Sequence, residues 1–160
     1  MIVHPIPPLF DGNSKILILG SFPSVKSREA GFFYGHPQNR FWKVVSGVLK
    51  WELPKTVEEK KAMLFSNNIA LWDVIGKCDI TGSADSAISN PKANDLGLIL
   101  KSAEIKAIFT NGRKAQELYK KQIEPEIGIS AIYLPSTSPA NAAWSIEKLI
   151  DEWNIIKEYL

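Results

Sequence analysis

Four short apolar runs, at residues 16–19, 69–74, 105–109 and 131–134, constrain this chain more than any other feature of it. Each is bounded by polar or turn-forming residues, and none alternates apolar with polar as a strand with one wet face does. They are predicted to be strands covered on both sides. Apolar residues at helical spacing predict helices over residues 41–49, 57–66, 95–103, 113–122 and 139–159. The last is expected to begin with Ser138 as N-cap and Pro139 in its first turn, positions both residue types favour. Its stripe of Ile146, Leu149, Ile150, Trp153 and Ile156 is expected to be core. Dry strands alternating with helices imply an α/β fold, a three-layer α/β/α sandwich around a short, mainly parallel four-stranded sheet.

In such sheets ligands collect at the carboxyl ends of the strands. That rule selects the loop from Gly20, the segment after Val74, "TNGRK" from Thr110, and "PSTSPANA" from Pro135. The polar connection over residues 79–95 is the longest in the chain, and long ordered loops on such scaffolds are often functional. With 160 residues, 45% of them hydrophobic, the chain is expected to form one domain over 1–160. Its net charge of +2 does not announce a nucleic-acid binder, but residues 1–50 hold six Lys or Arg against Asp11 and Glu29. A lone Cys78 and only His4 and His36 exclude a disulfide framework, a four-cysteine cluster and a typical zinc site, so no metal or cofactor is expected. The opening "MIVHPIPPLFDG" lacks a cationic flank and carries three prolines, against a signal peptide, and no apolar run reaches membrane-spanning length. A cytoplasmic protein with no membrane partner is the expectation.

Chemistry concentrates in "GSFPSVKSREAGFFYGHPQNRFW", residues 20–42. Gly20 permits a sharp turn or close backbone approach at a strand end. Neither a dinucleotide fingerprint, a P-loop nor a nucleophile elbow is present, and Ser21 has no evident base. Phe32, Phe33 and Tyr34 are planar faces suited to stacking a base, worth roughly 1–3 kcal/mol each, although at least one of them is expected to fill core. Asn39 either caps the helix that follows or holds a water by its carbonyl while stabilising charge through its NH2. Asn111 either caps the helix near Gly112 or offers a donor and an acceptor together to a flat heterocycle. Ser136, Thr137 and Ser138 before Pro139 combine hydroxyls with helix N–H groups, a setting for a phosphate.

These stretches, "LILGSFPSVKSREAGFFYGHPQNRFW", "IALWDVIGKCDITGSADSAI" with the later "NDL", "FTNGRKA" and "LPSTSPANA", follow one another over residues 17–143 in an order that resembles the uracil-DNA glycosylase superfamily. Within it they resemble family six, the hypoxanthine (deoxyinosine) DNA glycosylases. The resemblance implies Asn39 as the catalytic residue, from its place in the His-Pro-x-Asn-x-Phe-Trp segment. It further implies a base pocket from Gly20, Ser21, Phe22, Phe33, Tyr34 and Asn111, with Phe33 or Tyr34 stacking on the base. A phosphate and wedge loop is implied from Ser136, Thr137, Ser138, Pro139 and Asn141, with Ala140 or Asn141 filling the duplex. Phe22 stands where many members have an acid or amide, and Leu134 where several have a histidine, so neither of those aids is available. The missing cysteines set the chain apart from the iron-sulfur families.

The implied activity is monofunctional hydrolysis of the N-glycosidic bond of a deaminated base, most simply hypoxanthine, in double-stranded DNA, with single-stranded DNA as a second partner and a monomer as the acting form. Uracil is the runner-up base, because an Asn amide would pair with the O6/N1–H edge of hypoxanthine and the O4/N3–H edge of uracil alike. Rival readings are a non-catalytic module for damaged or single-stranded DNA, and a hydrolase of free nucleosides or nucleotides.

Overall fold

The computed structural model describes residues 1–160. In chain order its elements are β1 (Ile2–Val3), β2 (Ile16–Gly20), α1 (Val25–Ala30), α2 (Phe41–Leu49), α3 (Val57–Ser66), β3 (Ile69–Asp73), β4 (Ile75–Asp79), β5 (Ser89–Ala93), α4 (Gly97–Ser102), β6 (Ala107–Asn111), α5 (Arg113–Leu118), α6 (Glu124–Ile127), β7 (Ala131–Leu134) and α7 (Ile146–Trp153). A four-stranded sheet runs in the order β3-β2-β6-β7, all neighbours parallel. Ile16, Ile18, Ile69, Leu71 and Phe109 belong to one apolar cluster with Phe41, Val44, Met63, Leu149 and Trp153 from α2, α3 and α7. Leu17, Leu19, Ala70 and Ile108 belong to a second, with Ile99, Ala115 and Leu118 from α4 and α5. Successive strand residues point to opposite faces, so a sheet covered twice requires apolar residues at every position. That is the α/β/α architecture the four runs predict. Burying one such Leu or Ile stabilises the fold by about 1.5–3 kcal/mol, which sets the sheet as the rigid frame for its own loop ends.

Several boundaries differ from expectation for identifiable reasons. The third strand lies two residues further on than its apolar run, because Thr110 and Asn111 are buried polar residues of β6 rather than the start of a loop. Thr110 is satisfied by a hydrogen bond to Gln116 on α5. A second sheet, antiparallel and ordered β1-β4-β5, was not predicted. Its Lys77, Ser89, Asn90 and Lys92 are exposed and its register is interrupted by irregularities, so it carries little strand signal. The polar connection after residue 79 is therefore partly β5, with Pro91 tolerated there because a strand at a sheet edge need not donate. Helix α1 was also unforeseen; Ser24 caps it and Gly31 closes it in the left-handed conformation.

The largest correction concerns the last helix. It begins at Ile146 with Ser145 as N-cap, not at Pro139 with Ser138. The guanidinium of Arg40 donates to the carbonyls of Ser138 (3.2 Å), Asn141 (3.0 Å) and Trp144, which fixes residues 138–144 as successive turns. The carbonyls of Ser138 and Asn141 also accept from Asn141 N–H and Trp144 N–H three residues on, at 3.0 and 3.2 Å. Of the expected stripe, Leu149, Trp153 and Ile156 are buried, while Ile146 and Ile150 are half-buried. No helix is long and apolar enough to cross a membrane.

Candidate active site

The carboxyl ends of β2, β3 and β6, with the loops that leave these strands and β7, enclose a cavity of about 470 Å3. Gly20, Ser21 and Phe22 form one wall, Phe33, Tyr34 and Asn39 a second, and Asn111 with Ser136, Thr137, Ser138 and Pro139 a third. Asn141 stands behind that wall, its Nδ2 donating to Ser136 O at 2.9 Å. Of the rings, Phe32 and Phe33 are 7% and 2% exposed and pack edge-to-face against one another, with Phe32 stacked on Trp42. Tyr34 lies 4.0 Å from Phe41, nearly parallel to it at 8°, so one face of its ring is already covered. Phe22 is half-buried, edge-on to His4, with the Arg28 guanidinium 5.6 Å from its centroid.

A chain of hydrogen bonds crosses the cavity. Asn111 Nδ2 donates to Tyr34 Oη at 3.2 Å and to Thr137 Oγ1 at 3.0 Å, while its Oδ1 accepts Thr137 N–H at 3.1 Å. Both of its amide hydrogens are thereby used. Asn111 does not cap α5; its amide braces Tyr34 and Thr137 on the cavity wall, and Oδ1 keeps a second lone pair. Thr137 Oγ1 passes its own hydrogen to Asn39 Oδ1 at 2.9 Å, and the same oxygen accepts Phe41 N–H at 2.9 Å. Of the two expectations for Asn39, the contacts meet the first: its carbonyl serves the start of α2, although Arg40 holds the formal cap position, and it is not free to hold a water as the second required. With both lone pairs of Oδ1 engaged, the NH2 group alone remains without a partner and can act only as a donor.

The opposite wall carries groups that residue patterns did not single out. Asp73 ends β3, is 4% exposed and lines the cavity. Its Oδ2 accepts from His4 Nε2 at 2.7 Å, across 69 residues of sequence. A Cβ added to Gly20 would sit 2.5 Å from Asp73 Oδ1 and 3.1 Å from Tyr34 Oη, so only glycine leaves room for both. Burial, reinforced by the Asp73 carboxylate, pushes the Tyr34 phenol far above its usual range against the opposing donation from Asn111. Tyr34 is therefore a neutral hydroxyl throughout any working pH. The amides of Ser21 and Phe22 have no acceptor within the protein. On the rim, Ser21 Oγ donates to Asp85 at 2.6 Å and Val25 N–H donates to Ser83 Oγ at 2.9 Å, which draws the segment after β4 over the mouth. The only available signal for Asp73 was its position at a strand end in "LWDV"; nothing pointed to His4. No group of three or more His, Cys, Asp and Glu side chains lies close enough together to hold a metal ion.

A pocket with neutral donors and one buried acid suits recognition of a flat polar heterocycle and dissociative chemistry beside it. Comparison with known proteins agrees in kind. The sequence profile of the Uracil DNA glycosylase superfamily matches residues 7–157. A curated protein of Methanosarcina acetivorans named hypoxanthine DNA glycosylase is 37% identical over 158 residues, 98% of each chain. Another of that name, from Methanosarcina barkeri, is 32% identical over 137 residues, 84% of this chain and 85% of its own. A solution NMR structure from Methanosarcina acetivorans, of a protein provisionally called a uracil DNA glycosylase, superposes with a TM-score of 0.80 at 33% identity, covering 98% of this chain and 99% of the other.

Proposed function

The chain belongs to the uracil DNA glycosylase superfamily, and from that premise we propose that it excises hypoxanthine from DNA by hydrolysis, leaving an abasic site as the first step of base excision repair. The observation that carries this reading is the donor-only Asn39 amide, fixed by Thr137 and Asn111 on the wall of a pocket. A base must leave the duplex to enter such a pocket, at a cost of a few kcal/mol that is lower where pairing is weak, as for deoxyinosine opposite thymine. The C1′–N9 bond then breaks toward an oxocarbenium-like transition state. A water accepting one N–H from Asn39 keeps a lone pair for C1′, and since the carbon is already cationic when attacked, no strong base is required. The free amides of Ser21 and Phe22 are suited to the exocyclic oxygen of the base. Phe22 and the uncovered side of Tyr34 offer stacking surface; Phe33, 2% exposed, offers little.

Across the mouth, the loop at Ser136, Thr137, Ser138, Pro139 and Asn141 is positioned to meet the phosphates beside the lesion, and Ala140 or Asn141 to fill the vacated space. The same reading makes the substrate double-stranded DNA, with single strands accepted, and the acting form a cytoplasmic monomer. The test uses labelled duplexes with one deoxyinosine, one deoxyuridine or neither, incubated with the protein and with Asn39→Ala, then treated with alkali. Cleavage at inosine by the wild type and not by the variant supports the reaction and the residue. Cleavage at uracil alone keeps the superfamily and refutes the base; binding without cleavage of either makes the protein a damage-binding module.

A further inference from the structure

Asp73 is the one acid buried in the pocket wall, and its two oxygens are used unequally. Oδ2 is held by His4. The other ring nitrogen of His4, Nδ1, accepts Ile6 N–H at 3.1 Å, so the single ring proton sits on Nε2 and the imidazole is neutral. His4 thus fixes the carboxylate without neutralising it. No Lys or Arg stands within ion-pair distance; the one ion pair in the protein joins the Met1 amino group to Asp79. Oδ1 has no hydrogen-bond partner, yet it is not sealed in the interior. It lies against the Cα of Gly20, in the same cavity that Ser21 and Phe22, whose amides have no acceptor, also line.

We infer that Asp73 is a specificity-determining residue that makes this pocket select a purine lactam over uracil, with His4 as its positioning residue; the inference rests on the glycosylase reading of the site. An anionic acceptor that shares a cavity with free backbone donors matches an edge with a ring N–H beside an exocyclic oxygen. Adenine presents a ring lone pair there and is repelled. Hypoxanthine and uracil share the favoured edge, so beyond their difference in size they are told apart by charge in the departing base. Uracil leaves with the electron pair of the C1′–N1 bond as an anion spread over its ring and oxygens, and a fixed carboxylate against that ring opposes its formation. Hypoxanthine has a second ring, whose N7 takes a proton from solvent before the C1′–N9 bond breaks; the electron pair goes to N9 and the base leaves neutral. Water adds its oxygen to C1′ and releases one proton, which balances the proton taken up at N7. The same carboxylate that opposes a uracil anion favours the cationic, N1–H-bearing purine that precedes cleavage.

The test measures single-turnover cleavage of inosine and uridine duplexes by wild type, Asp73→Asn and His4→Phe, each checked for folding by thermal melting. The readout is the inosine-to-uridine rate ratio, to which an unfolded fraction contributes nothing because it lowers both rates equally. Asp73→Asn, which keeps the shape and removes the charge, is expected to lower that ratio more than tenfold by slowing inosine cleavage and raising uridine cleavage. His4→Phe, which keeps Asp73 but frees its carboxylate, is expected to move the ratio the same way by a smaller factor, and it alone decides should Asp73→Asn fail to fold. A ratio within twofold of wild type, or a folded Asp73→Asn that loses inosine cleavage with no gain at uridine, overturns the inference. A wild type inactive on both duplexes refutes the glycosylase reading instead.

Discussion

Replacing Thr137 by Val removes one hydroxyl, keeps the shape, and breaks the strut at its centre. Thr137 is fully buried. Its Oγ1 accepts from Asn111 and donates to Asn39, so the variant leaves a buried Asn111 N–H without an acceptor and returns a lone pair to Asn39 Oδ1. An orphaned buried donor costs about 1–3 kcal/mol. For a chain of this size each kcal/mol lowers Tm by about 2–4 °C, so a fall of about 2–12 °C is expected. The effect on rate is separate. Asn39 retains the bond from Phe41 N–H but loses the one that sets its roll about the side-chain axis, and if about 1.4 kcal/mol of orientation is lost in the transition state the single-turnover rate drops about tenfold. Thr137→Ser is the control, since it keeps the hydroxyl and forfeits only a methyl group. Rates on inosine duplex at saturating enzyme, beside melting curves, give both quantities. Thr137→Val with a lowered Tm and a rate within twofold of wild type would refute the claim that this strut sets the Asn39 amide.

Other consequences are open to simple assays. Gly20→Ala drives a Cβ against Asp73 Oδ1 and Tyr34 Oη and should cut inosine cleavage by more than a hundredfold while duplex binding, measured by gel shift, changes little. Arg40→Lys leaves a charge but cannot span three carbonyls, so KM for duplex should rise several-fold more than kcat falls, as steady-state kinetics will show. Duplex affinity should fall steeply between 50 and 200 mM salt, in a slope that counts phosphate contacts; a flat response would favour a free nucleoside as substrate. Tyr34 is raised by burial and the Asp73 carboxylate, and Tyr119 is pushed up to about 12 by burial and Glu124. Above the ordinary tyrosine value near 10 the unfolded chain loses protons that the folded one keeps, so stability falls as pH climbs from about 10 to 12. Denaturant midpoints at pH 8 and 11 test this, and Tyr119→Phe should reduce the difference.

How much of this was legible from residues alone depended on whether a residue's partners were near in sequence. The parallel sheet was legible because Leu17 and Ile18, or Ala70 and Leu71, are adjacent residues that both have to be dry. Its third strand was misplaced because Thr110 and Asn111 are dry as well, by virtue of Gln116 and Thr137, and polarity in a sequence carries no record of a partner. Pro139 read as a helix start because the three carbonyls that stop a helix there are bound by a guanidinium about a hundred residues earlier. Asn39, Asn111 and the hydroxyl loop were found as candidates, yet which atom of each amide is free became clear only from the contacts. Asp73 and His4 stayed hidden because neither means anything until β3 and the amino-terminal strand are brought together.

Asn39 and Arg40 are consecutive, and both reach across to the segment that follows β7: one side chain meets Thr137, the other gathers the turns from Ser138 to Trp144, and the backbone N–H of Arg40 donates to Thr137 O at 3.0 Å. The two regions therefore behave as a single inheritable part. Transplanting residues 136–144 from a relative, or importing a relative's His-Pro-x-Asn segment without them, would join halves cut to different measures. Chimeras meant to alter lesion choice in this scaffold should move residues 36–42 and 136–144 as one cassette, and a swap of either piece alone serves as the informative failure.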